Sequence, residues 1–156
     1  AEDTLRAAQR LAPLLPAGCA VWSSPLRRCL VLAEALQSLR PDLAPCHVDA
    51  RLAEMDFGCW EGQRWDRIPP QAFDAWMADF GRHAFGGRES LQQLMARVHA
   101  AREDMQRTAG PQLWITHAGV VRAARLLAGG VQQITSGAQW PREAIGFGEH
   151  QRLPMS

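Results

Sequence analysis

Along the opening residues the apolar positions Leu5, Ala8, Leu11, Ala12 and Leu15 recur at helical spacing, and Pro16-Ala17-Gly18 ends the pattern. A short apolar run from Cys19 to Trp22 then reads as a buried strand. Ser23-Ser24-Pro25 opens a second helix, with Ser24 as N-cap and Pro25 at its first position. Its buried stripe is Leu26, Cys29, Leu30, Ala33 and Leu36. Cys46 to Val48 signals a second strand weakly, and Leu52 to Gly62 lacks a period and is expected to be a loop. Pro69-Pro70 introduces a helix with Phe73, Trp76, Met77 and Phe80 on one side. The turn Phe85-Gly86-Gly87-Arg88 precedes the longest helical pattern, where Leu91, Leu94, Met95, Val98 and Met105 align. Ser90 and Gln93 supply a capping box at its start. Leu113-Trp114-Ile115-Thr116 is a strand, His117-Ala118-Gly119 the turn leaving it, and Val120 to Leu127 a helix closed by Gly129-Gly130. A last strand is expected near Ala144 to Phe147.

Strands alternating with helices predict an α/β domain with a largely parallel sheet. At 156 residues the chain fits one domain, 1–156, with a single continuous core. Composition narrows the function classes. The formal net charge is +1, and the 17 basic residues, all arginine, are scattered, so no basic stripe argues for nucleic acid. The four cysteines, Cys19, Cys29, Cys46 and Cys59, form no Cys-x-x-Cys pair. Neither a zinc site nor a disulfide framework is therefore indicated, and reduced thiols point to a cytoplasmic protein. No apolar run is long enough to span a membrane, and Ala1-Glu2-Asp3-Thr4 opens straight into an amphipathic pattern unlike a signal peptide.

In parallel sheets, ligands bind beyond the carboxyl ends of strands, where a strand turns into a helix. Two segments put polar groups there. In Ser23-Ser24-Pro25-Leu26-Arg27-Arg28 the arginines sit in the first turn of a helix, where a cation opposes the macrodipole unless an anion binds between them. Arg27 and Arg28 are thus either a phosphate clamp or ordinary solvated residues. His117 ends a buried strand beside a glycine; it could donate to a phosphoryl group or exchange protons, or simply cap its helix. Glu54 is a carboxylate in an apolar loop, which suits a general acid if burial raises its pKa, and Asp56 and Glu61 compete for that role. Ser24 lacks a Gly-x-Ser-x-Gly elbow, and a Cys59–His117 dyad is conceivable. His47, His83, His99 and His150 have no such setting.

Taken in order, these segments resemble one family. Ser23-Ser24-Pro25-Leu26-Arg27-Arg28 is similar to the Ser-Ser-x-Leu-x-Arg segment of histidine phosphatases (phosphoglycerate-mutase-like proteins). Leu52-Ala53-Glu54-Met55-Asp56-Phe57-Gly58-Cys59-Trp60-Glu61-Gly62 resembles their Leu-x-Glu-x-x-Phe-Gly-x-Trp-Glu-Gly loop. Gly86-Gly87-Arg88-Glu89-Ser90 resembles their Gly-Gly-Glu-Ser turn with one residue inserted. Thr116-His117-Ala118-Gly119-Val120-Val121-Arg122 resembles the second catalytic histidine motif, with Ala118 in place of the usual glycine. Four such stretches in the right order cover nearly the whole chain.

The resemblance implies a three-layer fold, a mostly parallel sheet with helices on both faces, and two-step phosphoryl transfer through a phosphohistidine without metal or cofactor. Arg28 would bind the phosphoryl oxygens, His117 and the backbone at Ala118 would add donors, and Glu54 would protonate the leaving oxygen and then help activate water. The Trp-Glu-Gly loop and Trp76-Met77-Ala78-Asp79-Phe80 look most like bacterial α-ribazole-phosphate phosphatases. A mutase-type transferase and a phosphate-binding pseudoenzyme are the alternatives. The expected partner is a small phosphorylated substrate, not nucleic acid or membrane. The family's first motif, a strand ending in Arg-His-Gly that carries the nucleophile, does not occur in this sequence. The chain is therefore expected to be an N-terminally truncated phosphatase, inactive as it stands. Losing an interior strand would expose two strand edges, which could drive a homodimer.

Overall fold

The computed structural model describes residues 1–154. Five helices and three strands follow one another as α1 (Glu2–Leu11), β1 (Ala20–Ser23), α2 (Arg27–Leu39), β2 (His47–Val48), α3 (Pro70–Ala78), α4 (Leu91–Gln106), β3 (Gln112–Ile115) and α5 (Ala118–Ala128). The strands form one parallel sheet in the order β2-β1-β3. Each parallel neighbour needs a crossover: α2 carries the chain from β1 to β2, and α3 with α4 carries it back past β1 to β3.

Alternation along the strands divides the core into two layers. Val21, Leu113 and Ile115 pack with Ala8, Cys29, Ala33 and Leu36, so α1 and α2 cover that face. Trp22 and Trp114, directly paired in the register, pack on the opposite face against the core of α4 and α5. The three-layer expectation is met. The capping box of α4 is present too, with Ser90 Oγ accepting from Gln93 N–H at 3.1 Å and the Gln93 side chain accepting from Ser90 N–H at 2.8 Å.

Several local expectations need correction. Leu5 stands 46% exposed, and α1 instead buries Ala7 and Ala8, since small residues let it lie close against α2. Ser24 does not take the N-cap position of α2: Leu26 does, with an apolar side chain that makes no cap bond, while Ser24 is fully buried with its hydroxyl shared between the Leu26 N–H and His117. Leu26 is consequently exposed rather than part of the buried stripe, as is Met77 on α3. Residues 144–147 form no strand; Ile145, Gly146 and Phe147 run as irregular chain.

Among the described residues β3 pairs only with β1, leaving its other edge open. A groove of about 440 Å³ runs along that edge. All of β3 lines it, with Ala7 and Leu11 of α1, Leu32 of α2, and Val121 and Ala124 of α5 as apolar walls. The tail from Ile145 to Pro154 closes its far side, held through Arg102 to the Pro154 carbonyl and Arg125 to Glu143.

Ser90→Ala should lower unfolding free energy by about 1 kcal/mol. Urea denaturation followed by tryptophan fluorescence checks this, with an unchanged denaturant slope expected because the change is confined to a helix end.

Candidate active site

Because β1 and β3 are neighbours in register, Ser23 opposite Ile115, the chain leaves both strands at the same end of the sheet. Ser24 N–H donates to the Ile115 carbonyl at 2.8 Å, which continues the pairing one step into the turn. Beyond it, α2 begins at Arg27 and α5 at Ala118, so Arg28 and His117 project over the same strand ends. Arg28 Nη2 lies 2.9 Å from His117 Nδ1, and His117 Nε2 lies 2.8 Å from Ser24 Oγ.

Glu54 arrives from a third segment. Asp49 N–H donates to the Ser23 carbonyl at 2.9 Å, and Thr116 Oγ1 donates to the Leu52 carbonyl at 2.6 Å, tying the loop after β2 to both strand ends. Its main anchor is Arg97 on α4. That guanidinium donates to the carbonyls of Arg51 and Ala53 at 2.7 Å each and of Glu54 at 3.1 Å, and pairs with Glu89 at 2.7 Å. One planar fork thus fixes the backbone that carries Glu54. The Glu54 carboxylate accepts the N–H of Met55 at 2.8 Å and of Gly119, in the first turn of α5, at 3.3 Å. The absence of a side chain at Gly119 permits that approach, since a Cβ there would lie 2.3 Å from Glu54 Oε1 and push the carboxylate aside.

The structure therefore brings Arg28, Glu54, His117 and Ala118 together, all lining one end of the β3 groove. Arg27 is exposed and does not line that groove. Asp56 and Glu61 serve the loop itself, accepting the N–H groups of Gly58 at 2.8 Å and Phe57 at 2.7 Å. Cys59 is exposed with its backbone bonded to Gly86, so a Cys59–His117 dyad does not form. The cysteine beside the imidazole is Cys29, 3.6 Å from Nε2. Reasoning from sequence missed Ser24 as a partner of His117, and missed Arg97 and Glu89. For Arg97 there was a signal: an arginine three residues after Leu94 and four before Ala101 lies toward the buried face of α4.

Burial holds the His117 pKa below its usual value, and Arg28 and Arg97 push the same way against Glu54. Burial also raises the Cys29 thiol. At neutral pH the site thus presents a guanidinium, a neutral imidazole and a thiol. No group of three or more His, Cys, Asp or Glu suited to a metal ion occurs among the described residues. A fixed cation, an imidazole and a carboxylate around one point can bind an oxyanion and exchange a proton with a departing or attacking oxygen.

The profile of the family "Histidine phosphatase superfamily (branch 1)" matches residues 2–138. Among solved structures, mycobacterial glucosyl-3-phosphoglycerate phosphatase superposes with a TM-score of 0.69 at 25% identity, covering 81% of this chain and 65% of that one. "Mycobacterial hydrolase 2" gives 0.69 and 25%, covering 81% and 58%. TTHB049 from Thermus thermophilus gives 0.61 at 30% identity, covering 85% and 72%. The chain thus spans about three-fifths of the length of the mycobacterial structures. Comparison with curated protein sequences finds no significant match.

Two outcomes follow from this geometry. Gly119→Ala should cost about 1–3 kcal/mol by forcing the Glu54 carboxylate aside, and Glu54→Ala in the same chain should recover most of it; urea unfolding of the double-mutant set reads both. A histidine whose folded pKa lies below its unfolded value stabilises the fold above about 6.5, and loses that contribution as pH falls through the folded pKa. Melting temperature should therefore drop on acidification below about pH 6.5, with a shallower decline in His117→Gln.

Proposed function

Since the chain belongs to the histidine phosphatase superfamily, we propose that it forms the substrate-binding and proton-transfer part of a phosphomonoester hydrolase. The observation that carries this reading is the convergence of Arg28, His117 and Glu54 at the carboxyl end of β1 and β3. Arg28 binds two non-bridging oxygens of the phosphoryl group. His117 sits where a second donor would meet the charge that develops on them. Glu54 gives a proton to the leaving oxygen as the phosphorus–oxygen bond breaks, and recovers one from the attacking water in the second step.

The nucleophile in this reading is an imidazole outside these 156 residues, carried on a strand that seats along the open edge of β3. The groove there supports it: an added parallel strand would bury apolar walls from α1, α2 and α5 and end beside Arg28 and His117. No Arg-His-Gly occurs in the sequence. The Arg-His dipeptide it does contain, Arg82-His83, lies in the turn after α3, away from the groove. Binding of the phosphoryl group to His117 and Ala118 uses the start of α5, where N–H groups and helix dipole favour an anion. The resemblance of the Trp60-Glu61-Gly62 loop makes α-ribazole 5′-phosphate the first specific substrate to try.

The test is phosphate release from p-nitrophenyl phosphate at mildly acidic pH. The 156-residue chain alone should release none, and the chain preceded by an apolar strand ending in Arg-His-Gly should release phosphate. In that extended form Arg28→Ala and His117→Ala should each lower kcat about 10²–10³-fold. Release by the short chain that vanished in His117→Ala would place the nucleophile inside it and overturn the reading. Phosphate binding without turnover by either form would mark a pseudoenzyme.

A further inference from the structure

The hydrogen bonds around His117 form a chain with a direction. A guanidinium has donors only, so Arg28 Nη2 at 2.9 Å requires a lone pair on His117 Nδ1. The neutral ring then carries its proton on Nε2, aimed at Ser24 Oγ 2.8 Å away. Ser24 Oγ also accepts the Leu26 N–H at 3.2 Å, so its two acceptor positions are filled, and Cys29 Sγ lies 3.6 Å from the same Nε2. The Cys29 thiol in turn donates to the Thr116 carbonyl, at 3.8 Å. Ser24 and Cys29 are both buried, so water does not compete for these bonds.

We propose that Ser24, backed by Cys29, is the positioning residue for His117, holding the ring in its Nε2–H tautomer with Nδ1 turned toward Arg28. The proposal rests on reading His117 as an oxyanion-handling group and names the nitrogen with which it acts. Nδ1 is the atom that meets the phosphoryl oxygen, and it donates there only after taking up a proton. The groups that set this uptake surround the ring on every side. Arg28 from α2 and Arg97 from α4 oppose it, Glu54 from the loop after β2 favours it, and Cys29 stays a neutral thiol. An anion settling between Arg28 and Nδ1 joins Glu54 in favouring it. Ser24 keeps Nε2 occupied throughout, so the incoming proton has one place to go.

Nitrogen-15 spectra of the histidine rings test this in the free chain near pH 8, with the His117 signals identified by their loss in His117→Gln. The expected pattern is a protonated Nε2 and an unprotonated Nδ1. Arg28→Ala, at an exposed position, should keep that pattern. Ser24→Ala should give a mixture of tautomers, and Ser24→Thr should restore a single one. A ring protonated on Nδ1 in the unmodified chain would overturn the proposal. So would a mixture in Arg28→Ala, which would give control of the tautomer to Arg28 and settles the matter even if Ser24→Ala fails to fold. Inorganic phosphate separates this proposal from the functional one. Protonation of Nδ1 on adding phosphate supports both, whereas an intact tautomer pattern with no response to phosphate counts against the phosphatase reading alone.

Discussion

The pairing of β1 with β3 is the contact on which the site depends. Four residues of each strand are in register, from Ala20 opposite Gln112 to Ser23 opposite Ile115, and the bond from Ser24 N–H to the Ile115 carbonyl extends the match into the turns. A shift by one residue would turn every side chain of β3 to the other face of the sheet. It would expose Trp114 to the layer built for small residues on α1 and α2 and carry His117 away from Ser24 and Arg28. The apolar alternation that keeps Val21 and Ile115 on one face and Trp22 and Trp114 on the other therefore also sets the distance between the imidazole and its partners. Packing and chemistry share one register.

Much of this was legible in the sequence, and the failures have physical reasons. Strands β1 and β3, the capped start of α4 and the turn at His117 all carry strong local signals, because apolar runs, capping residues and glycines act over a few positions. Ser24 shows where local rules stop. Ser-Pro before an apolar stripe reads as a helix cap, and its hydroxyl does accept the Leu26 N–H. A tertiary partner, His117, takes the rest of its bonding capacity and draws it into the interior. The strand expected near 144–147 failed similarly: its apolar residues face the groove beside β3 without a ladder to join. Glu54, Arg28 and His117 could be named from the resemblance; that Arg28 meets His117 and that Glu54 meets the first turn of α5 could not, since each comes from a different segment.

Arg97 explains how an irregular loop can hold a reacting group in place. Loop backbone carries carbonyls that no helix or ladder satisfies, and such groups must find donors when partly buried. Three carbonyls within four residues, at Arg51, Ala53 and Glu54, find them on a single guanidinium. A lysine offers a point charge on a flexible stem and could not span them in one geometry. Glu89 balances the charge, and its other oxygen also accepts the Asp56 N–H at 3.0 Å, so the pair staples both ends of the Glu54 segment to α4. Arg40 does the same at the other end of the sheet, donating to the carbonyls of Ala12 and Leu15 while paired with Asp42.

The open edge of β3 gives the site its asymmetry. A parallel sheet with helices on both faces ordinarily buries its interior strands on every side, and an unpaired edge invites another strand. Here that edge faces a groove whose walls are apolar over most of its length and whose end holds Arg28, Glu54 and His117. Arg28, Glu54 and His117 stand at the end where a bound parallel strand would have finished its hydrogen bonding and turned away. The same burial that suits the groove to an apolar strand, with Arg28 and Arg97, holds the His117 pKa down against Glu54. On the proposed reading, charge on the imidazole is a response to the ligand, since an anion at Nδ1 joins Glu54 in offsetting both guanidinium groups. On the same reading, a strand seated in the groove would deepen that burial, and completing the sheet and setting the charge of the histidine would be two effects of one contact.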